Sequence, residues 1–314
     1  MNLQQLRYLN EIVRRDLKIS DAATALFTSQ PAISKQIKLL EDELGIEIFV
    51  RNGKRITAIT EPGKGLLAIA QRMLLDAENF KQFAQEFHLK DTGHLVIATT
   101  HTQARYALPP VVKQFVERYP KVKLGLHQGT PTQIAQQVLH GDADICIATE
   151  SLTLYEGLVT LPCYEWHHCV IAKPDHPLLQ LPELTLEAIA QYPIITYDHA
   201  FSGRGKINEA FEMAGITPDI SLTAIDADVI KTYVELGLGI GILAEIAFIP
   251  EREPHLCRMN ARHLFKPSTT RIAIRKNEYL RGYTYDFIQL FAKQLTREVV
   301  AKAMRLSNAK DQQT

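Results

Sequence analysis

The chain has 314 residues, 46% hydrophobic and 22% charged, with 35 Lys/Arg against 35 Asp/Glu. That length asks for two or three domains, and a zero net charge removes global basicity as a route to nucleic acid or to an anionic membrane. Four cysteines (Cys146, Cys163, Cys169, Cys257) in apolar contexts without close pairing argue against a disulfide framework.

The first stretch, MNLQQLRYLNEIVRR, has no basic n-region followed by an apolar core, and no apolar run approaches the roughly 18 residues of a membrane span. A cytoplasmic chain with no membrane partner is expected. Leu3, Leu6, Leu9 and Val13 form one helical stripe. SDAATALF follows as a second short helix with Ser20 as its N-cap. TSQPAISKQIKLLEDELG, residues 28–45, makes a third, capped by Thr28 or Ser29 with Pro31 in its first turn. At 100° per residue Ile33, Ile37, Leu40 and Leu44 share one face, while Pro31, Ser34, Lys35 and Lys38 share the other, with Gln30 at the tip. Such a polar N-terminal half suits entry into a major groove, where amide, hydroxyl and ammonium groups meet base edges and phosphates. IFVRNGKRIT then places two apolar flanks around Asn52-Gly53, a two-residue hairpin signal, with Arg51, Lys54 and Arg55 crowding its tip as a basic wing. Residues 1–60 carry nine Lys/Arg and seven Asp/Glu, so placement rather than net charge carries the reading. A solvated helix and a charged turn would explain each piece, but not their order.

Residues 61–92 read as a long linker helix and a hinge. Leu66, Ala70, Met73, Ala77, Phe80, Ala84 and Phe87 step by four and three, a heptad seam suited to self-association. From residue 93 strands and helices alternate, predicting α/β lobes with mainly parallel sheets. About 200 residues is long for one sheet, so two lobes are expected: lobe I from 93–164 and 268–300, lobe II from 165–267, then a frayed polar tail over 301–314.

Ligands of such lobes sit at strand ends against helix N-termini, where free N–H groups favour anions. Three strand ends carry hydroxyls: Thr100, Thr102 and Gln103 in ATTHTQ, Thr130 and Thr132 in GTPTQ, and Thr149 in IATES; Ser202 and Gly203 in AFSGRGK offer the same from the other lobe. Any one of these hydroxyls serves equally well as a helix N-cap; their recurrence favours a pocket. CYEWHHC is not read as a metal site, because adjacent histidines on a strand face opposite ways and no partner motif completes four ligands. GLGIG at 237–241 follows a helix and enters a strand, the reverse of a dinucleotide loop. No nucleophile elbow, phosphate-binding loop or zinc-protease motif occurs, so no enzyme, cofactor or metal is expected.

AATALFTSQPAISKQIKLLEDELGIEIFVRNGKRITAITEPG resembles the DNA-binding segment of LysR-type transcriptional regulators. The later motifs IATTHTQARYALP, HQGTPTQIA, LPCYEW, DADVIKTYVELGLGIGILA and YDFIQLFAKQLTREVV resemble the CysB branch of that family. The resemblance implies an N-terminal winged helix-turn-helix over 1–60, a linker helix, and a two-lobed effector domain like periplasmic binding proteins. It implies double-stranded promoter DNA as partner, touched by Ser29, Gln30, Pro31, Ser34, Lys35, Lys38, Arg51, Lys54 and Arg55. It further implies an effector pocket of Thr100, Thr102, Gln103, Thr130, Thr149 and Ser202, the last standing where the family pattern has Thr. N-acetylserine or O-acetylserine is the implied inducer, with sulfate or thiosulfate as competing anions. The implied regulator activates cysteine-biosynthesis and sulfur-assimilation genes as a homotetramer joined through the linker helix, with RNA polymerase a further candidate partner. A related regulator of another sulfur or organosulfonate operon is the rival within the family. A free solute-binding protein or a DNA-tethered enzyme is disfavoured by the helix-turn-helix and by the lack of a catalytic set.

Overall fold

Asn2 opens helix α1 (Leu3–Arg14) with a capping box, its side chain accepting from the Gln5 N–H while the Gln5 side chain accepts from the Asn2 N–H. In this computed structural model residues 1–53, 55–88, 91–200 and 202–311 are described, apart from the side chains of His88, Glu150, Ser202 and residues 308–311. They fall into two compact units, Met1–His88 and Leu89–Thr314.

In the first unit Leu6, Leu9 and Ile12 point inward, whereas Leu3, expected on the same stripe, is exposed. Helix α2 (Ile19–Ala25) starts after Lys18, not Ser20. The Ser20 hydroxyl instead donates to the Asp21 carboxylate, so the predicted cap is wrong by two residues. Helix α3 (Gln30–Leu44) is capped by Ser29, whose Oγ accepts from the Ala32 N–H, and ends on left-handed Gly45 at φ 68°. Ile33, Ile37 and Leu40 are buried against α1 and α2, while Leu44 lies at the frayed edge of the stripe and is exposed.

Strands β1 (Phe49–Asn52) and β2 (Arg55–Ile59) pair antiparallel with Asn52 opposite Arg55. The turn therefore begins at Gly53, one step later than the Asn-Gly reading. Gly53, at φ 61°, supplies the positive φ that a two-residue hairpin turn needs. Helix α4 (Glu61–His88) splits the heptad seam. Its first half (Leu66, Leu67, Ala70, Leu74) joins the core of its own unit, while Phe80 and Phe87 farther along are 77% and 70% exposed.

The second unit holds two five-stranded sheets. Lobe I contains β3 (Thr92–Thr99), α5 (Leu108–Arg118), β4 (Lys121–Gln128), α6 (Pro131–His140), β5 (Ile145–Ala148) and β6 (Leu158–Trp166). Lobe II contains β7 (His168–Ala172), α7 (Leu186–Ile189), β8 (Ile194–Tyr197), α8 (Ser202–Met213), β9 (Ile220–Ala224), α9 (Ala227–Glu235), β10 (Ile240–Ala244) and β11 (Cys257–Asn260). The chain then returns to lobe I with β12 (Ser268–Arg275), α10 (Gly282–Phe291) and α11 (Arg297–Asp311). The sheet orders are β4-β3-β5-β12-β6 and β11-β7-β10-β8-β9.

The sheets are mixed, not mainly parallel. β12 runs antiparallel to β5 and β6, and β7 antiparallel to β10 and β11, because each lobe crossover sends a strand back without an intervening helix. The expected frayed tail is also corrected as far as Asp311: α11 buries Val300 and Met304 in the lobe I core beside Phe287 and Leu295. Its polar sequence had hidden a helix that needs only one apolar stripe.

Candidate functional site

Two places gather the sequence-predicted residues. In the first unit, Gln30, Pro31 and Ser34 of α3 face Arg51, Asn52, Gly53 and Arg55 of the hairpin across an open cleft of about 890 Å³. Lys18 and Ser20, from the start of α2, line the same cleft and were not expected there; Lys18 was visible in the sequence only as one charge among nine, and Ser20 only as a helix cap. Ser29 serves as the α3 cap. Lys35 and Lys38 are exposed outside the cleft, Lys38 paired with Asp42 at 3.1 Å. Lys54 lies outside the described residues.

Arg51 is not a loose tip charge. Its Nη2 donates to Glu41 Oε2 at 3.0 Å, while Glu41 Oε1 accepts from the Ile48 and Phe49 N–H groups at 3.0 and 3.3 Å. Buried Glu41 thereby clamps the strand leading into the wing to α3 through three charge-assisted bonds. Helix, turn and wing become one rigid surface with Arg55 exposed at its rim.

In the second unit a cavity lies between the lobes, lined from lobe I by Thr100, Thr102, Gln103, Pro131, Thr149 and Trp166, and from lobe II by Tyr197, Gly203, Ala244 and Ile246. The chain leaves β3 at Thr100 and passes through a π-helical turn at Gln103–Ala107, an element often found at functional sites, before α5 begins. Gln103 is buried and held in place by two bonds, its Oε1 accepting from the Tyr164 hydroxyl at 2.6 Å and its Nε2 donating to Thr270 Oγ1 at 3.3 Å, which leaves one amide N–H unspent. Thr102 meets the Tyr197 hydroxyl across the lobes, and that hydroxyl also accepts from the Ala244 N–H at 3.1 Å. Burial raises the Tyr197 phenol, so it stays protonated.

The Trp166 Nε1–H is buried, borders the cavity and has no partner among the described residues. Among the described residues no lysine, arginine or carboxylate lines the space, so an anion there would be held by neutral donors and by the amide end of α8. The cavity encloses about 40 Å³, room for about three waters. Thr130 does not line it; its hydroxyl caps α6 in a capping box with Gln133. The Ser202 side chain lies outside the described residues, beside Gly203. Trp166, Tyr197, Ala244 and Ile246 escaped the sequence reading because strand and loop apolar residues look like core until the two sheets are placed face to face.

Beyond the cavity, His101, Asp226 and Asp228 bring three ligand-type atoms within 4.8 Å, a grouping that joins two lobes and so was invisible in the sequence. Asp226 is spent capping α9, accepting from the Val229 N–H at 2.9 Å, and Asp228 is already neutralised by Arg105 at 2.6 Å and Lys231 at 3.0 Å. The arrangement is that of an ion pair between lobes. In CYEWHHC, His168 is wholly buried between the Trp166 and Phe265 rings, and burial pushes its imidazole down to about 3. Burial likewise pushes Cys146, Cys163 and Cys169 up to about 12, so these thiols carry no thiolate near neutral pH.

A helix-turn-helix with a wing, followed by two lobes closing on a small cavity, defines a transcription regulator that joins a DNA-reading unit to an effector-binding one. The chain belongs to the LysR family: residues 3–64 match the bacterial regulatory helix-turn-helix of that family and residues 89–296 match the LysR substrate binding domain. It is similar to the transcriptional regulator SsuR of Burkholderia cenocepacia, 54% identical with 97% of this chain and 99% of that one covered. It is also similar to the regulator CysB of the same organism, 51% identical over 97% of each. Among solved structures, the cofactor-binding domain of the Cbl transcriptional regulator matches 68% of this chain and 93% of its own, with 46% identity and a TM-score of 0.66. The protein is a regulator, not an enzyme.

Proposed function

We propose that this LysR-type regulator activates cysteine-biosynthesis and sulfur-assimilation genes, reading promoter DNA through its first unit and a small sulfur-linked anion through its second. The observation that carries the reading is the inter-lobe cavity. It has hydroxyl and amide donors from both lobes and, among the described residues, an indole N–H without a partner and no charged side chain. A compact oxyanion such as sulfate or thiosulfate suits that volume, since neutral donors and a helix N-terminus can meet all its oxygens without burying a lone cation. An acetylserine is longer and would require the lobes to part. That difference gives inducer and competing anion opposite effects on lobe closure, the differential binding that a ligand switch needs. Thr100, Thr102, Gln103 and Thr149 form the effector set, with Ser202 at the α8 start; Thr130 acts only through its cap.

On the DNA side, Gln30, Pro31 and Ser34 enter the major groove, Lys35 and Lys38 meet flanking phosphates, and Arg55 with Lys18 tracks the backbone beside the wing. Exposed Phe80 and Phe87 on α4 form the seam through which copies associate into a homotetramer, and RNA polymerase is the partner at the promoter. As a reader of chromosomal DNA the protein acts in the cytoplasm.

The test is a mobility-shift titration on promoter fragments of sulfur genes, with sulfate, thiosulfate, N-acetylserine and O-acetylserine each added separately. Sequence-selective binding whose shift pattern changes with one of these ligands is expected. Binding that no ligand alters removes the effector assignment. The slightly higher identity to SsuR than to CysB favours one second reading, regulation of a different sulfur or organosulfonate operon. A response to a different small anion in the same titration would select it.

A further inference from the structure

The segment that follows β3 serves two sides at once. Thr100, Thr102 and Gln103 face the cavity, whereas His101 between them and Arg105 and Tyr106 just after them reach across to lobe II. The Tyr106 ring packs against the lobe II core cluster that includes Cys169, Ile171 and Phe248. Its hydroxyl donates to Asp228 Oδ1 at 2.6 Å and accepts from Lys231 Nζ at 2.7 Å. Lys231 is buried, 7% exposed at its side chain, and also donates to Glu253 at 2.6 Å and to the Ala247 carbonyl at 3.0 Å. Arg105 Nε stands 2.6 Å and His101 Nε2 4.0 Å from Asp228 Oδ2.

Charge balance shows why this arrangement depends on both lobes. To this cluster lobe II contributes one cation, Lys231, against two carboxylates, Asp228 and Glu253. Arg105, the second cation, comes from lobe I, as does the phenol seated between Lys231 and Asp228. Burial works against the Asp228 charge, yet the Tyr106 and Lys231 hydrogen bonds outweigh it and hold the carboxyl below its usual range. Parting the lobes would take the Tyr106 hydroxyl from the buried Lys231 amine, and both Tyr106 and Arg105 from the partly exposed Asp228 carboxylate, a loss that weighs most on the buried amine.

Resting on the effector-cavity reading above, we propose that Tyr106, Asp228 and Lys231 form an inter-lobe latch that positions the effector-binding segment. Seating the Tyr106 hydroxyl and filling the cavity then favour the same closure. Thr102 and Tyr106 are joined by a single π turn, so an effector that holds Thr102 and Gln103 holds the latch, and a seated latch pre-organises those two side chains for the effector. Tyr106, Asp228 and Lys231 are positioning residues; none lines the cavity.

The test compares full-length wild type with Tyr106→Phe, which keeps the ring in the lobe II core, and with Asp228→Asn. Sulfate is the probe, read by calorimetry and by amide exchange over residues 227–235, a helix with no residue on the cavity. In wild type, sulfate slows exchange over 227–235. In both variants that slowing is lost and sulfate binds about 10- to 100-fold more weakly, the expected loss of one hydrogen bond to a charged group. Unchanged affinity with the slowing retained would overturn the proposal. Should wild type not bind sulfate, the effector reading fails separately. The latch is then judged on the ligand-free chain, where Tyr106→Phe must speed exchange over 227–235, and unchanged rates would overturn it.

Discussion

Glu41→Ala tests the argument that a buried carboxylate builds the DNA-reading surface. The substitution leaves two amide donors, of Ile48 and Phe49, both buried, with no acceptor in place of Glu41 Oε1. Each costs about 1–3 kcal/mol when stranded. Arg51 is about a third exposed and finds water, so its lost ion pair adds little. The first unit should therefore lose about 2–6 kcal/mol, concentrated where the chain passes from α3 into β1. Glu41→Gln keeps one acceptor oxygen for the amides and gives up the pairing with Arg51, so it should lose about 1 kcal/mol. Native-state amide exchange on the full chain reads this directly, as faster exchange at Ile48 and Phe49 in Glu41→Ala and near-normal exchange in Glu41→Gln. Operator affinity should fall in parallel, since the wing can no longer hold its angle to α3. If Glu41→Ala keeps both amides protected and binds the operator as wild type does, the clamp does not set the wing.

His168 predicts an acid-side loss of stability. Folded, its imidazole stays neutral down to about 3, while the unfolded chain protonates it near its ordinary value of about 6.5. The depressed pKa means that the contribution is complete above about pH 6.5 and is lost as pH falls toward 3, at up to about 1.4 kcal/mol per pH unit. Urea titrations at pH 7.5 and 5.5 should show that fall in wild type and a shallower one in His168→Gln; equal slopes would remove His168 as its source. Thr130→Ala should cost about 1 kcal/mol through its lost cap and leave sulfate affinity unchanged, whereas a tenfold affinity loss would return Thr130 to the effector set. Gly239→Ala should be among the most damaging changes in lobe II, because φ is 152° and an added Cβ would sit 2.3 Å from the Pro193 carbonyl oxygen; a melting temperature within a degree of wild type would contradict that.

The local code of the first unit was nearly complete in the sequence. Ser29, Pro31 and Gly45 mark both ends of α3, and the 3.6-residue spacing of Ile33, Ile37 and Leu40 fixes which side faces out. These are contacts within a few turns, so residue order alone determines them. The places of Thr100, Thr102, Gln103 and Thr149 on the cavity wall were legible for the same reason, since polar side chains at strand ends announce themselves locally. Tertiary structure decided what depends on distant segments meeting: that Arg51 belongs to Glu41, that Trp166 and Tyr197 wall the same cavity while Thr130 does not line it, and that Tyr106 crosses to Lys231, 125 residues away. One-dimensional periodicity records which face of an element is apolar. It does not record which other element that face will meet, and both the wing clamp and the inter-lobe latch are built from such meetings.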